Sequence, residues 1–249
     1  MRRAGSIRYK QGVMSIRKPE DFYENYAGFK AYERQALRPK HIRWYDREFW
    51  LPTRCDASMS VLEIGCGAGH FLSYLRHKGV TRFTGVDLDP KVVEFLAPEI
   101  AAHVRIADIR EVIAGHDPAS PFDRIAMLDA LEHFSPFEAV RLLQSLKSIL
   151  AEDGLINIRV PNLSSPWGLS HQYGDLTHKA AYTQDSLAQL AQASGYEAVA
   201  FLPQKRGSPS KRIVEDIFHG VLSRLLTEAP AIWSANFIGV IKPCPTPNR

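Results

Sequence analysis

The feature that most constrains this chain is a short apolar run, Ser60 to Ile64, that empties into Gly65-Cys66-Gly67-Ala68-Gly69 and then into a helical pattern. A strand that becomes a helix over so few residues needs backbone conformations that side chains resist, and glycines supply them. The same turn leaves the first helical amides facing outward, ready for an anion such as a carboxylate. Glu63 stands at the end of the strand, just ahead of the loop.

Beyond this turn the chain alternates strand and helix, which specifies an α/β domain with a mostly parallel sheet and crossover helices. Ala68 to Lys78 reads as a helix with Phe71, Leu72 and Leu75 on one face. Arg82 to Val86 is a strand ending at Asp87, and Asp89-Pro90 caps and opens a helix carrying Val92, Val93 and Leu96. His103 to Ala107 ends at Asp108, and Arg124 to Leu128 ends at Asp129. A helix over Phe137 to Leu150 is followed by an Asp153-Gly154 turn and a strand from Leu155 to Val160. Three strands thus finish in an aspartate at the carboxyl edge, where ligands bind in open α/β sheets.

The rest is expected to complete the sheet. Pro161 to Tyr182 is a loop too long for a mere connection, and it carries Trp167, His171, Tyr173, Asp175 and His178. A helix from Thr183 to Ser194 stops at Gly195, and a strand follows from Tyr196 to Leu202. Ser210 to Thr227 reads as a helix whose apolar pairs recur every turn, suited to core packing or a homodimer contact, with peripheral membrane contact as the lesser reading. Ser234 to Ile241 makes the last strand.

The glycine spacing is not that of a dinucleotide fingerprint, because His70 stands where G-x-G-x-x-G begun at Gly65 would require its third glycine. Asp87 is placed to accept hydrogen bonds from both hydroxyls of a ribose, and Asp108 to accept one from an adenine amino group. On these residues the sequence resembles the class I S-adenosylmethionine-dependent methyltransferase superfamily. VLEIGCGAGHFLSYL is similar to its motif I, FTGVDLDP to its second motif, ADIRE to its adenine motif, FDRIAMLDALEHF to the segment after the fourth strand, and LAEDGLINIRVPN to the fifth-strand motif. The resemblance spans residues about 58 to 242. It implies a Rossmann-like seven-stranded sheet of order 3-2-1-4-5-7-6 with the seventh strand antiparallel, and S-adenosyl-L-methionine as cofactor. It further implies that Glu63, Gly65, Cys66, Gly67 and Gly69 surround the methionine part and Asp87 holds the ribose. Leu88, Asp108 and Ile109 would meet the adenine, and Asp129 and Leu131 would line the pocket.

Composition narrows the classes. At 249 residues with 45% hydrophobic content the chain has material for one full core, and Cys55, Cys66 and Cys244 form no disulfide framework, which fits a reducing, cytoplasmic setting. No secretory signal or membrane-spanning run is evident. The net charge is only +4, but Arg2, Arg3, Arg8, Lys10, Arg17 and Lys18 all precede the first acid, Glu20. Residues 1–19 therefore read as a basic flexible arm, solvated or meeting an acidic partner; too few aromatics are interleaved to favour nucleic acid. Residues 20–58 read as a helical, aromatic-rich segment, either packed on the main domain or covering its active site. The domain proper is 59–242, with a helical insertion at about 204–230, and 243–249 is a tail.

The methyl acceptor is less legible. Transfer from a sulfonium is an in-line displacement that chiefly needs alignment, and a hydroxyl acceptor also benefits from a base. The base candidates are His133, after the fourth strand, and His178 with Asp175 in the long loop; an imidazole titrates near ~6.5 and is basic at cellular pH. His133 serves equally well as a packing or cofactor-contacting residue. The Asp175-Leu176-Thr177-His178 run is similar to a pattern in methyltransferases of bacterial surface-polysaccharide and other glycan pathways, except that Leu176 stands where proline is usual. No tight metal-ligand cluster is expected. The open functions are O-methylation of a sugar or glycan, methylation of a quinone or other aromatic small molecule, and cofactor binding without catalysis.

Overall fold

The computed structural model describes residues 36–245; the basic arm and the first part of the aromatic segment lie outside the described residues. The chain enters through α1 (Pro39–Tyr45), which runs into a π-helical turn, Asp46–Trp50. It then alternates: β1 (Ser60–Ile64), α2 (His70–His77), β2 (Arg82–Asp87), a 3-10 turn (Pro90–Phe95), α3 (Pro98–Ala101), β3 (Val104–Ile106), α4 (Ile109–Ala114) and β4 (Phe122–Leu128). After a 3-10 turn at Leu131–His133 come α5 (Pro136–Leu146), β5 (Leu150–Pro161), α6 (Leu169–Gln172), α7 (Gln184–Ala193), β6 (Tyr196–Pro203), α8 (Pro209–Leu225) and β7 (Asn236–Pro243). The seven strands form one sheet of order β3-β2-β1-β4-β5-β7-β6, with β7 antiparallel to both neighbours, as expected.

Local chemistry sets the ends of these elements. Ser135 and Glu138 close a capping box at the start of α5, the Glu138 Oε2 accepting the Ser135 N–H at 2.8 Å, with Pro136 in the first turn. Thr183 caps α7, and Gly195 ends it at a φ of 75°.

Side-chain alternation divides the sheet into two faces. Leu62 and Ile64 of β1, Ile125 and Met127 of β4, and Ile156, Ile158 and Val160 of β5 join Leu142, Leu143 and Leu187 in one core. Val61, Ala126 and Leu128 face the opposite way and meet Phe71, Leu72 and Leu75 of α2 and Phe49 of the π-helical turn. The second face is not wholly apolar. Glu63 shares it with Val61, and Asn157 and Arg159 lie between the core positions of β5; all three are buried.

Several expectations need correction. Helix α5 stops at Leu146, and Leu150 belongs to a longer β5 that absorbs Asp153-Gly154 as a bulge, since Phe122 pairs with Leu150 and Arg124 with Leu155. The segment after Asp89 is a 3-10 turn, and Val93 is exposed. The 209–225 helix buries none of its residues, so core packing of its stripe is overturned: periodicity defines a stripe but not what covers it. His219 ties this helix down, stacking on Trp233 with centroids 5.0 Å apart and receiving the Trp167 Nε1–H at 3.2 Å. Among the described residues no helix is long and apolar enough to cross a membrane.

Candidate active site

The β1–α2 turn has the predicted geometry. Gly65, Gly67 and Gly69 all take positive φ, at 76°, 49° and 69°. Gly69 is further confined from outside, because a Cβ there would lie 2.8 Å from Leu96 and 2.9 Å from Ile100. Asp87, ending β2, holds the loop directly: its Oδ2 accepts the Gly67 N–H at 2.8 Å and its Oδ1 the Asp89 N–H at 2.9 Å. Burial raises its carboxyl above the ordinary aspartate value, against the pull of those amides. Leu88 next to it is 68% exposed, an apolar side chain at the edge of the sheet.

The other residues picked from sequence are placed unequally. Asp108 caps α4 through the Arg110 N–H and ion-pairs with the Arg110 guanidinium at 2.6 Å, which lowers its carboxyl. Ile109, Cys66 and Leu131 are buried, so Leu131 packs in the core and would reach a ligand through its backbone. The thiol of Cys66 is pushed up by burial, with Glu63 and Asp87 adding to the effect.

A buried polar network, unforeseen from sequence, lies on the Glu63 face. Arg159 grips Asp129 with two hydrogen bonds, 2.8 and 2.7 Å, and reaches Glu48 Oε2 at 2.9 Å. Glu48 also receives Gln204 at 3.2 Å and Arg206 at 3.3 Å, and its carbonyl takes the Asn157 amide at 2.9 Å. The segment before β1 is thereby fastened over this face. Arg206 lies 4.2 Å over the Trp44 ring, and Tyr45 hydroxyl pairs with His70 Nδ1 at 3.0 Å. The signal was present in the sequence, since a strand reading Asn157-Ile158-Arg159-Val160 has one polar face. Beside the network, Glu63 Oε2 is buried without a hydrogen-bond partner among the described residues, and burial raises this carboxyl well above the ordinary glutamate value.

The catalytic candidates converge. The Leu131–His133 turn follows β4, and the long loop brings His178 to it, the two imidazole centroids 4.7 Å apart. Glu132, His133 and His178 can each offer one ligand atom within 4.8 Å of the others, so the expectation of no tight ligand cluster is corrected. Residues far apart in sequence met because the Glu132 carbonyl accepts the Lys179 and Ala180 amides at 2.8 and 3.1 Å. Asp175 is buried and organises the loop: its Oδ1 accepts the Thr177 N–H at 3.0 Å and the Thr177 hydroxyl at 2.6 Å. Having given its proton to Asp175, Thr177 Oγ1 accepts from His133 Nδ1 at 3.0 Å. The cluster adjoins the glycine turn, since a Cβ on Gly65 would come within 3.0 Å of Ala130 Cβ.

The sheet order and the glycine turn at its centre define a Rossmann-like methyltransferase fold. The family model described as Methyltransferase domain matches residues 29–200, more than half of the chain, and the chain belongs to that family. The family is one of methyl-transferring enzymes. The buried Glu63 oxygen beside the glycine turn, without a hydrogen-bond partner among the described residues, suits a cationic ligand. An S-adenosylmethionine-dependent methyltransferase from Archaeoglobus fulgidus shares the fold at a TM-score of 0.66 and 21% identity, over 87% of this chain and 99% of that one. The 1,6-didemethyltoxoflavin-N1-methyltransferase of Burkholderia thailandensis, solved with S-adenosylhomocysteine, superposes at a TM-score of 0.55 and 18% identity, over 91% of this chain and 87% of that one. Over 124 residues the chain is 25% identical to the sphingolipid C9-methyltransferase of Candida albicans, and the match covers 47% of this chain but only 23% of that protein.

Proposed function

We propose that this methyltransferase acts on a hydroxyl of a sugar or glycan, with His133 or His178 removing its proton. One observation carries the reading: an imidazole pair with oriented Nδ1 atoms beside the glycine turn that would seat the donor. S-adenosylmethionine, held by the glycine turn, would supply the methyl group, its carbon–sulfur bond breaking as the acceptor oxygen bonds to the methyl carbon. The hydroxyl proton passes to an imidazole Nε2, and Asp175 acts as a positioning residue through Thr177. Trp167 and Tyr173, 47% and 69% exposed on the same loop, offer flat surfaces for a pyranose ring.

On this reading Glu63 and the three glycines flank the methionine part and Asp87 takes the ribose hydroxyls. Leu88 and Ile109 flank the adenine, whose amino group shares Asp108 with Arg110. Asp129 and Leu131 contribute at the pocket wall, and the segment from α1 to the π-helical turn serves as its cover. A second reading, an acceptor carried on a lipid, is supported by the exposed Ile213, Ile217, Phe218 and Val221 of α8 and by the lipid substrate named for the Candida protein. Radiolabelled methyl transfer to pools of free sugars, glycans, lipid-linked glycans and quinones tests both. Product on a free sugar oxygen supports the first, product only on lipid-linked acceptors the second, and product only on an aromatic acceptor overturns both.

A further inference from the structure

We infer that Glu132, His133 and His178 form a binding site for a divalent transition-metal cation of the zinc type. The ligand set is two imidazoles and a carboxylate, each with an atom within 4.8 Å of the other two. Two atoms bound to one ion at ~2.0–2.2 Å stand at most about 4.4 Å apart, so a closure of a few tenths of an ångström brings the three ligands onto one ion. Nitrogen donors select zinc, nickel or copper over magnesium, which takes oxygen ligands almost exclusively.

The hydrogen bonds around the rings prepare them for this. His178 Nδ1 lies 2.9 Å from the Gln172 carbonyl oxygen, which can only accept, so this nitrogen carries the proton, and Nε2, 3.8 Å from Asp175 Oδ2, holds the lone pair of the neutral ring. Thr177 Oγ1 spends its proton on Asp175, so His133 Nδ1 must donate to it and His133 Nε2 likewise keeps its lone pair. An imidazole whose other nitrogen donates to a carbonyl or a carboxylate-linked hydroxyl is the arrangement found behind metal-ligating histidines. Gln172, Asp175 and Thr177 are all buried, so both orientations are fixed before any ion arrives.

Three protein ligands leave at least one position open, as in catalytic rather than structural sites. That position would take water or, resting on the hydroxyl-acceptor reading above, the acceptor oxygen. With the cation bound both imidazoles are ligands, so the proton transfer to an imidazole proposed above belongs to the metal-free protein, and a bound metal would instead acidify the hydroxyl directly.

Titration calorimetry on chelator-stripped protein tests the site without any acceptor. Zn²⁺ is expected to bind with one ion per chain at about 1 μM or tighter, and Mg²⁺ not to bind detectably. His133→Ala and His178→Ala should each weaken zinc by more than about a hundredfold, and Thr177→Val by about tenfold. Cys244→Ser, which alters an exposed thiol outside the proposed ligand set, should leave the affinity unchanged. Melting curves confirm that the variants fold, and Co²⁺ bound to the unaltered protein should show the visible absorption of a nitrogen-ligated ion. Absence of saturable zinc binding, or an affinity unchanged in both folded histidine variants, overturns the site. Zinc binding intact with no transfer to any hydroxyl overturns the acceptor reading and leaves the site standing.

Discussion

Arg159 holds Asp129 through a bidentate pair at 2.8 and 2.7 Å, and Asp129 is one of two non-glycine residues with positive φ among those described, at 61°. The aspartate ends β4, where the chain must turn abruptly toward the histidine cluster. A left-handed conformation costs an ordinary residue about 1–2 kcal/mol, and the guanidinium offsets it. The Leu131–His133 turn is therefore held from β5, through a buried cation whose other side is secured by Glu48.

Removing this cation should be costly. Arg159→Met leaves Glu48 buried with Gln204 and Arg206 as the remaining carboxylate partners among the described residues, and a loss of about 3 kcal/mol in unfolding free energy is expected. The double variant with Glu48→Gln should recover part of it. Urea denaturation measures both, and a loss under about 1 kcal/mol in the single variant would contradict the role assigned to Arg159.

Asp87→Ala should weaken S-adenosylhomocysteine binding by about 10–100-fold, or about 1.4–2.8 kcal/mol. The variant loses the proposed ribose acceptor and also the anchor of the Gly67 and Asp89 amides. Calorimetry reads the change, and an unaltered affinity would remove Asp87 from the pocket.

Cofactor binding should release a proton. Burial raises the Glu63 carboxyl well above its ordinary value, so the unliganded protein retains this proton at pH values where a free glutamate has lost it. A sulfonium and an ammonium arriving nearby favour the carboxylate, so affinity should rise with pH from the ordinary glutamate range up to the raised value. Calorimetry in buffers of different ionisation enthalpy detects the released proton. Glu63→Gln should abolish both the buffer dependence and the pH slope; a slope that persists in the variant assigns the proton elsewhere.

Acid should destabilise the protein through His70. Burial, with His41 and Arg206 nearby, lowers this imidazole from 6.5 to about 4. Below pH 6.5 the unfolded chain binds a proton that the folded chain refuses, so stability is full above 6.5 and falls as pH drops toward 4. For a half-buried ring the effect is about 1–2 kcal/mol. His70→Asn should flatten this part of the stability curve, as followed by thermal melts between pH 4 and 7. An unchanged curve would exclude His70 as the titrating group.

The sequence by itself determined the alternation of strand and helix and the glycine turn, and its resemblance to a family implied the order of the sheet. Ser60 to Gly69 can hardly be anything but a strand and a glycine turn, and Asp87 and Asp108 lie where strand periodicity ends, because both signals arise within a few residues along the chain. The ends of α5 and β5 were misjudged, since the bulge at Asp153-Gly154 depends on pairing with β4 and not on local turn propensity. Likewise the stripe on α8 was legible, and its exposure was not.

Only the tertiary structure decided the polar interior and the histidine cluster. Glu48, Arg159 and Asp129 are brought together by strand pairing and by the packing of the segment before β1, and Glu132 meets His178 through two main-chain hydrogen bonds from the long loop. The physical reason is the range of the interactions. Turns and periodicity follow from neighbouring residues, whereas a buried ion pair or a shared pair of imidazoles exists only once distant strands have fixed where their side chains point.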